Sequence, residues 1–349
     1  MPRPRPLSRL TLLALSVALL TACGAPAAVP PTPSPAAPTA SAVPTASPSP
    51  PPPPTPTPTP EPPWYQPLDP ALGALRYHYA EVTAEAARVY VSLQDAAAAS
   101  PNFGYLPHYP AYVAYTTTQQ LDGRTFYLTN LGWMRGEDLR PLTPSLFTGI
   151  LLTRPVDFRF GWVLSETHSL TSAGAPVRFY ARYQIVHEVR SEAARPGFLA
   201  VGPDEWLPEE TVALVDPVIP PEASDLCRFI YVNLDEQTLA VYDECTLVFA
   251  SLVSSGQDPR WTFPGRFWIL NKTEYTTVTP PEGSVSEYYI EGLPYFMTYY
   301  GDLGFHGVYY HDDLGAPVSH GCINLSPADA RWLYDWARLG EYVVLHRAP

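Results

Sequence analysis

Basic charge is scarce in this 349-residue chain: Lys and Arg number 21 against 34 Asp and Glu, a formal net charge of −13. Three of those cations, Arg3, Arg5 and Arg9, lie in the first 22 residues, and without that segment the charge becomes −16. An acidic chain with no basic stripe disfavours nucleic acid and anionic lipid surfaces as partners. A Gly-rich phosphate loop is also missing, which removes the common nucleotide-binding signatures. The apolar run from Leu10 to Leu20 is too short to cross a bilayer comfortably. Cysteine is rare, with only Cys23, Cys227, Cys245 and Cys322, so no dense disulfide scaffold is expected.

What is present begins with export. Arginines ahead of an 11-residue apolar run have the charge order of a secretory signal peptide. Leu20-Thr21-Ala22-Cys23 closes that run and resembles the lipobox of bacterial lipoproteins, which implies cleavage after residue 22 and lipidation of Cys23. An ordinary signal or a retained anchor is the alternative, and all three place the chain outside the cytoplasm. Residues 23–63 then form a spacer: eighteen of the forty residues from Gly24 to Pro63 are proline and Glu61 is the single charge. Proline blocks both helix and ladder hydrogen bonds, so this stretch reaches up to roughly 120 Å if fully polyproline II.

The remaining 285 or so residues exceed one ordinary core, so more than one domain is expected. Residues 75–145 read as short alternating strands around an Asp122-Gly123 turn and resemble a bacterial SH3-like barrel. Residues 146–220 repeat the order weakly, with Trp133 and Trp206 in equivalent places. Such modules could bind wall peptides or glycans, although tryptophans in strand-like segments are more often core.

From Cys227 the chain opens as a β-meander over Arg228–Leu234, Thr238–Tyr242 and Leu247–Val253. Near its end, Ser326-Pro327-Ala328-Asp329 supplies an N-cap, a proline at N1 and a carboxylate at N3, starting a helix that carries Trp332, Leu333 and Trp336 and stops at Gly340. Between meander and helix lie Phe305-His306-Gly307 and Ser319-His320-Gly321-Cys322-Ile323-Asn324. A thiol attacks as thiolate, so a nucleophilic cysteine needs a base and N–H donors for the oxyanion it creates. His306 is the candidate base and Cys322 the nucleophile. His306, His311, His320 and Cys322 could instead hold zinc, but two ligands at i and i+2 around a glycine match none of the usual paired spacings. Cys322 taken alone would read as a small buried hydrophobe.

The full block resembles the signature of the L,D-transpeptidase catalytic domain, and the resemblance runs over about 120 residues, 226–347. Val253-Ser254-Ser255-Gly256 and Thr262-Phe263-Pro264-Gly265 sit where that family has two turns, the second with its proline displaced by one position. The resemblance implies a mainly β fold: a β-sandwich-like catalytic domain with a short C-terminal helix, here preceded by two SH3-like modules. It implies a cysteine acyltransferase with no cofactor and no metal, acting on peptidoglycan stem peptides through a thioester with release of D-alanine, and open to carbapenems. The Gly307 carbonyl would orient His306, the N–H groups of Gly321 and Cys322 would bind the oxyanion, and His320 would shape the loop. Ser319, Asn324 and Tyr295 are candidate substrate contacts, with Asn324 also expected to tie the loop down by side-chain hydrogen bonds; Tyr295, Tyr299 and Tyr300 are candidates for the groove wall, although tyrosines at alternate strand positions are more often packing. An L,D-carboxypeptidase with water as acceptor and a non-catalytic, tethered wall-binding protein remain as alternatives.

Three cysteines beyond the lipobox leave one unpaired. If the first hairpin of this domain turns at Glu236, opposed residues have numbers summing to 472, as Cys227 and Cys245 do, and they fall within disulfide range. The lipobox has its own check. The exported protein should sediment with membranes, and Cys23→Ser should release it or block its processing; a soluble mature chain starting elsewhere would rule the anchor out.

Overall fold

The computed structural model describes residues 63–107, 110–191, 195–259, 262–279 and 288–348. The signal segment, Cys23 and nearly all of the proline-rich spacer therefore lie outside the described residues. The fold is mainly β, with α-helices only at Leu93–Ala98 and Pro327–Trp336 among the described residues.

Two sheets enclose the principal core. The first has seven strands in the order Tyr65–Pro67, Ile150–Leu152, Thr246–Leu252, Thr238–Asp243, Phe229–Asn233, Tyr342–His346 and Gly265–Trp268. The second carries Ile323–Leu325, Leu303–Gly307, Tyr289–Tyr300 and Asn271–Val278. Period-two alternation sends Ile230, Val232, Leu239, Val241 and Phe249 inward from the first sheet, against Met297, Phe305, Ile323 and Leu325 from the second. Leu333 and Ala330 of the second helix close the same core. On the outer face of the first sheet, Phe229, Tyr242 and Leu252 pack against Phe160, Trp162 and Val215. A sheet covered on both sides explains why its strands read as nearly continuous apolar runs.

The two stretches before residue 220 each have a small core of their own. Val82, Val89, Val113 and Met134 line one, and Val163, Val186, Leu199 and Leu207 the other. Trp133 and Trp206 each occupy the second position of a four-residue strand that leads through a short 3-10 turn into the next strand. Neither stretch is detached from the carboxy-terminal sheets. Strand Ala111–Leu121 pairs in parallel with Tyr289–Tyr300, extending the second sheet, and Ile150–Leu152 pairs with Thr246–Leu252 in the first.

The first hairpin departs from its expected register by one residue. Phe229 faces Tyr242 and Asn233 faces Thr238, so opposed numbers sum to 471. Cys227 and Cys245 are nonetheless bonded, with Cα atoms 4.0 Å apart. The physical reason is the next turn: Glu244 and Cys245 adopt φ of 49° and 61° between the paired Asp243 and Thr246. That two-residue primed turn swings Cys245 back until its N–H donates to the Cys227 carbonyl at 2.8 Å.

Helix Pro327–Trp336 starts as its sequence dictates, with the Ser326 hydroxyl accepting the N–H of Asp329. The Asp329 carboxyl is fully buried and accepts from the Gly149 N–H and the Ser251 hydroxyl, both at 2.7 Å. It thus joins the helix, the first sheet and the segment between the two amino-terminal cores. Gly149 is required there, because a Cβ would stand 2.5 Å from the Ala250 carbonyl oxygen. Burial pushes Asp329 up to about 7, against the partial compensation of those hydrogen bonds. A folded-state pKa above the unfolded one means that the folded chain binds the proton more tightly, so stability is greatest below about pH 4 for this group and declines until about pH 7. The effect amounts to roughly 4 kcal/mol at most. Thermal midpoints measured from pH 4 to 7 should fall for the wild type and flatten in Asp329→Asn; parallel curves would refute the assignment.

Candidate active site

Strand Leu303–Gly307 pairs in parallel with Ile323–Leu325, with Phe305 opposite Ile323 and His306 opposite Asn324. Opposed residues share a face, so Phe305 and Ile323 both enter the core while His306 and Asn324 turn to the other side. Cys322 precedes the strand by one residue, and Gly304 is two before His306. The same alternation therefore gathers Gly304, His306, Cys322 and Asn324 on one face. In accord with this, a backbone hydrogen bond from Gly304 bears on the Cys322 thiol.

His306 is 3% exposed and its ring stacks on Phe296, centroids 5.6 Å apart. Its Nδ1 lies 3.0 Å from the Gly307 carbonyl, which fixes the proton on Nδ1 and leaves Nε2 with its lone pair. Gly307 must be glycine, since a Cβ would meet Pro294 at 2.9 Å. Burial drives His306 down to about 4, with the Gly307 carbonyl opposing and His311 adding to the fall. Cys322 is half-buried and free. Burial raises its thiol to about 11, the Gly304 backbone works against that, and Asp302 adds to it. Near neutral pH the pair is therefore a thiol beside a neutral imidazole.

Several expected roles change. The Gly321 N–H donates to the Ser319 hydroxyl at 3.0 Å, so it is already engaged and does not wait for an oxyanion. Ser319 is itself buried, donates to the Cys322 carbonyl at 2.5 Å, and exchanges backbone bonds with Ser255 and Gln257. These bonds fasten the loop. Thr262 adds a second fastener, donating to the Gly321 carbonyl at 2.9 Å while accepting the Gly256 N–H. Asn324 is 1% exposed, and its amide lies 2.9 Å from Nε2 of His311. Tyr295 is also no groove wall: it is 2% exposed within the main core, with φ of 59°. It shares the inward face of its strand with Met297 and Tyr299, its ring against Tyr275 and Tyr334. His320 is exposed, its ring 5.1 Å from that of Tyr288.

Two side chains near the thiol stand out in their place. Tyr299 is buried, its hydroxyl has no hydrogen-bond partner among the described residues, and Cys322 acts on it electrostatically. Burial raises the Tyr310 hydroxyl, Cys322 adds to that, and a hydrogen bond shared with the Asn324 side chain works against it. His311 and Tyr310 come from the loop joining the two motifs, where no local pattern signals their return to Asn324. Gly304 was readable, because period two from His306 points to it.

The model of the YkuD family, the L,D-transpeptidase catalytic domain, matches residues 228–345. The putative L,D-transpeptidase YciB of Bacillus subtilis (strain 168) is 29% identical over 126 residues, 31% of this chain and 59% of that protein, so the chain spans less than two thirds of that relative. Among solved structures, the catalytic domain of the L,D-transpeptidase from Enterococcus faecium is 24% identical, covering 34% of this chain and 96% of that one at a TM-score of 0.32. The L,D-transpeptidase from Stackebrandtia nassauensis is 26% identical, covering 36% of this chain and 62% of that one at a TM-score of 0.29. Over residues 228–345, its carboxy-terminal third, this chain matches the L,D-transpeptidase catalytic domain of the YkuD family.

Proposed function

We propose that the protein cross-links peptidoglycan stem peptides as an L,D-transpeptidase, with Cys322 as nucleophile and His306 as base. The observation that carries this reading is the parallel register that puts both residues on one face, with the His306 Nδ1 held by Gly307. As the Cys322 sulfur attacks the carbonyl between an L-configured centre and a terminal D-alanine, its proton passes to Nε2 of His306. The tetrahedral adduct then expels the D-alanine amine, which takes that proton, and a thioester remains. An amine from a second stem peptide attacks this carbonyl, the C–S bond breaks, and the proton released returns through His306 to the sulfur. The Cys322 N–H is the remaining backbone candidate for the oxyanion, and Gly321 joins it only when Ser319 lets go. Lipidation at Cys23, the proline-rich spacer and two SH3-like modules would hold this domain above a membrane and against the wall.

Ertapenem offers a strained amide carbonyl to the same thiol, and intact-mass measurement should find one adduct on the wild type and none on Cys322→Ala. His306→Ala should stay folded and acylate about 10²–10⁴ times more slowly, the usual contribution of a positioned base. An adduct on the alanine variant would overturn the nucleophile. Products from defined tetrapeptide muropeptides then separate cross-linking from hydrolysis.

The pair's titration gives a second expectation. His306 is a competent base above about pH 4 and Cys322 keeps its proton below about pH 11. Acylation should therefore vary little from about pH 6 to 8, whereas an isolated thiol gains roughly tenfold per unit until its pKa of about 8.5. A tenfold rise per unit would show a free thiolate reacting without its base.

A further inference from the structure

The loop from Gly307 to Val318, which joins the two catalytic motifs, is gripped by residues far upstream in sequence. Arg182 donates to the Asp312 carbonyl at 2.5 Å and Tyr183 donates to the same oxygen at 2.6 Å, with the Leu314 carbonyl 3.5 Å from the Tyr183 hydroxyl. The Arg182 guanidinium also faces the Asp312 carboxylate at 3.6 Å and lies over the Tyr183 ring, 4.3 Å from its centroid. Each donor thus fixes the other. Tyr183 adopts φ of 65°, a conformation costly for a bulky aromatic, and its own N–H is tied to Val163 at 2.6 Å. Gly315 lies so close to Leu164 that a Cβ would stand 2.3 Å from it. From the opposite side Tyr112 stacks on Tyr310 at 4.6 Å and Tyr79 on Tyr309 at 3.7 Å.

Between the stacked Tyr310 and the clamped Asp312 sits His311, the residue whose ring meets the buried Asn324 amide. Asn324 is opposite His306 and two residues from Cys322. We infer that Arg182 and Tyr183 are positioning residues of the catalytic centre: by fixing the Asp312 carbonyl they hold His311 on Asn324, and so hold the strand ends that carry the nucleophile and base. The region before residue 220 is then part of the active-site architecture as well as a spacer. This inference rests on the catalytic reading for its effect on turnover, but the mechanical coupling stands apart from that reading.

The test uses the whole exported chain and the variants Tyr183→Phe, which removes one hydroxyl and keeps the ring, and Arg182→Ala. Hydrogen exchange of residues 308–318, alkylation of Cys322 by iodoacetamide, acylation by ertapenem and the thermal midpoint are measured together. Loss of a hydrogen bond to a partly buried carbonyl should speed loop exchange by roughly tenfold. Alkylation should shift from its wild-type rate and ertapenem acylation should fall by about as much, at temperatures well below any change in midpoint. Arg190→Ala removes an exposed ion pair with Asp157 in the same module and should leave all four readings alone. Loop exchange unchanged in both variants would overturn the inference, as would a loosened loop with Cys322 reacting at its original rate, or an equal loss in Arg190→Ala. A wild-type chain that takes no ertapenem adduct would instead defeat the transpeptidase reading, while the exchange and iodoacetamide measurements still decide this one.

Discussion

One strand pairing governs the site: Leu303–Gly307 running parallel to Ile323–Leu325 with Phe305 opposite Ile323. A one-residue slip would turn His306 and Asn324 into the core and push Phe305 or Ile323 out. The apolar cost of that inversion is what protects the catalytic arrangement. Burying two side chains of this size is worth about 1.5–3 kcal/mol each, far more than any single polar contact on the opposite face. Catalytic geometry is thus specified by core packing on the side of the sheet that does no chemistry.

The same burial sets the electrostatics. His306 and Cys322 are both pushed toward their neutral forms, the imidazole down and the thiol up. No preformed ion pair waits in the resting site, so charge develops as sulfur attacks. Under the proposed mechanism, reactivity then comes from the base and not from a standing thiolate, and a protonated thiol is the form that resists disulfide exchange and oxidation. The disulfide between Cys227 and Cys245 leaves Cys322 as the free thiol among the described residues.

Sequence reading finds the helix and the two short motifs that carry the proposed nucleophile and base, because each is encoded locally: a cap, a block of residues, a period of two. It failed where tertiary contacts decide. The Cys227–Cys245 hairpin was placed one residue out of register because a turn's contribution cannot be counted from strand lengths; Glu244 and Cys245 in left-handed conformations made up the difference. Tyr295 is a candidate for the groove wall in sequence, while tyrosines at alternate strand positions more often pack; it lies in the main core in phase with Met297 and Tyr299. Asn324 is expected to tie its loop down, and its amide does meet His311; the hydrogen bond from Ser319 to the Cys322 carbonyl fastens the same loop and has no local signal in the sequence.

The loop between the motifs shows why the amino-terminal region resists separation from the rest. The connection between the two motifs carries many backbone groups that need partners. Its carbonyls at Asp312 and Leu314 find theirs in Arg182 and Tyr183, and its aromatic side chains find theirs in Tyr79 and Tyr112. Those partners come from two different folding units, each with a core of its own, and both units also donate pairing to the carboxy-terminal sheets or their flanks. A linker free to swing could not supply such contacts at fixed distances. Both amino-terminal cores are thereby tied to the loop that carries His311 to Asn324.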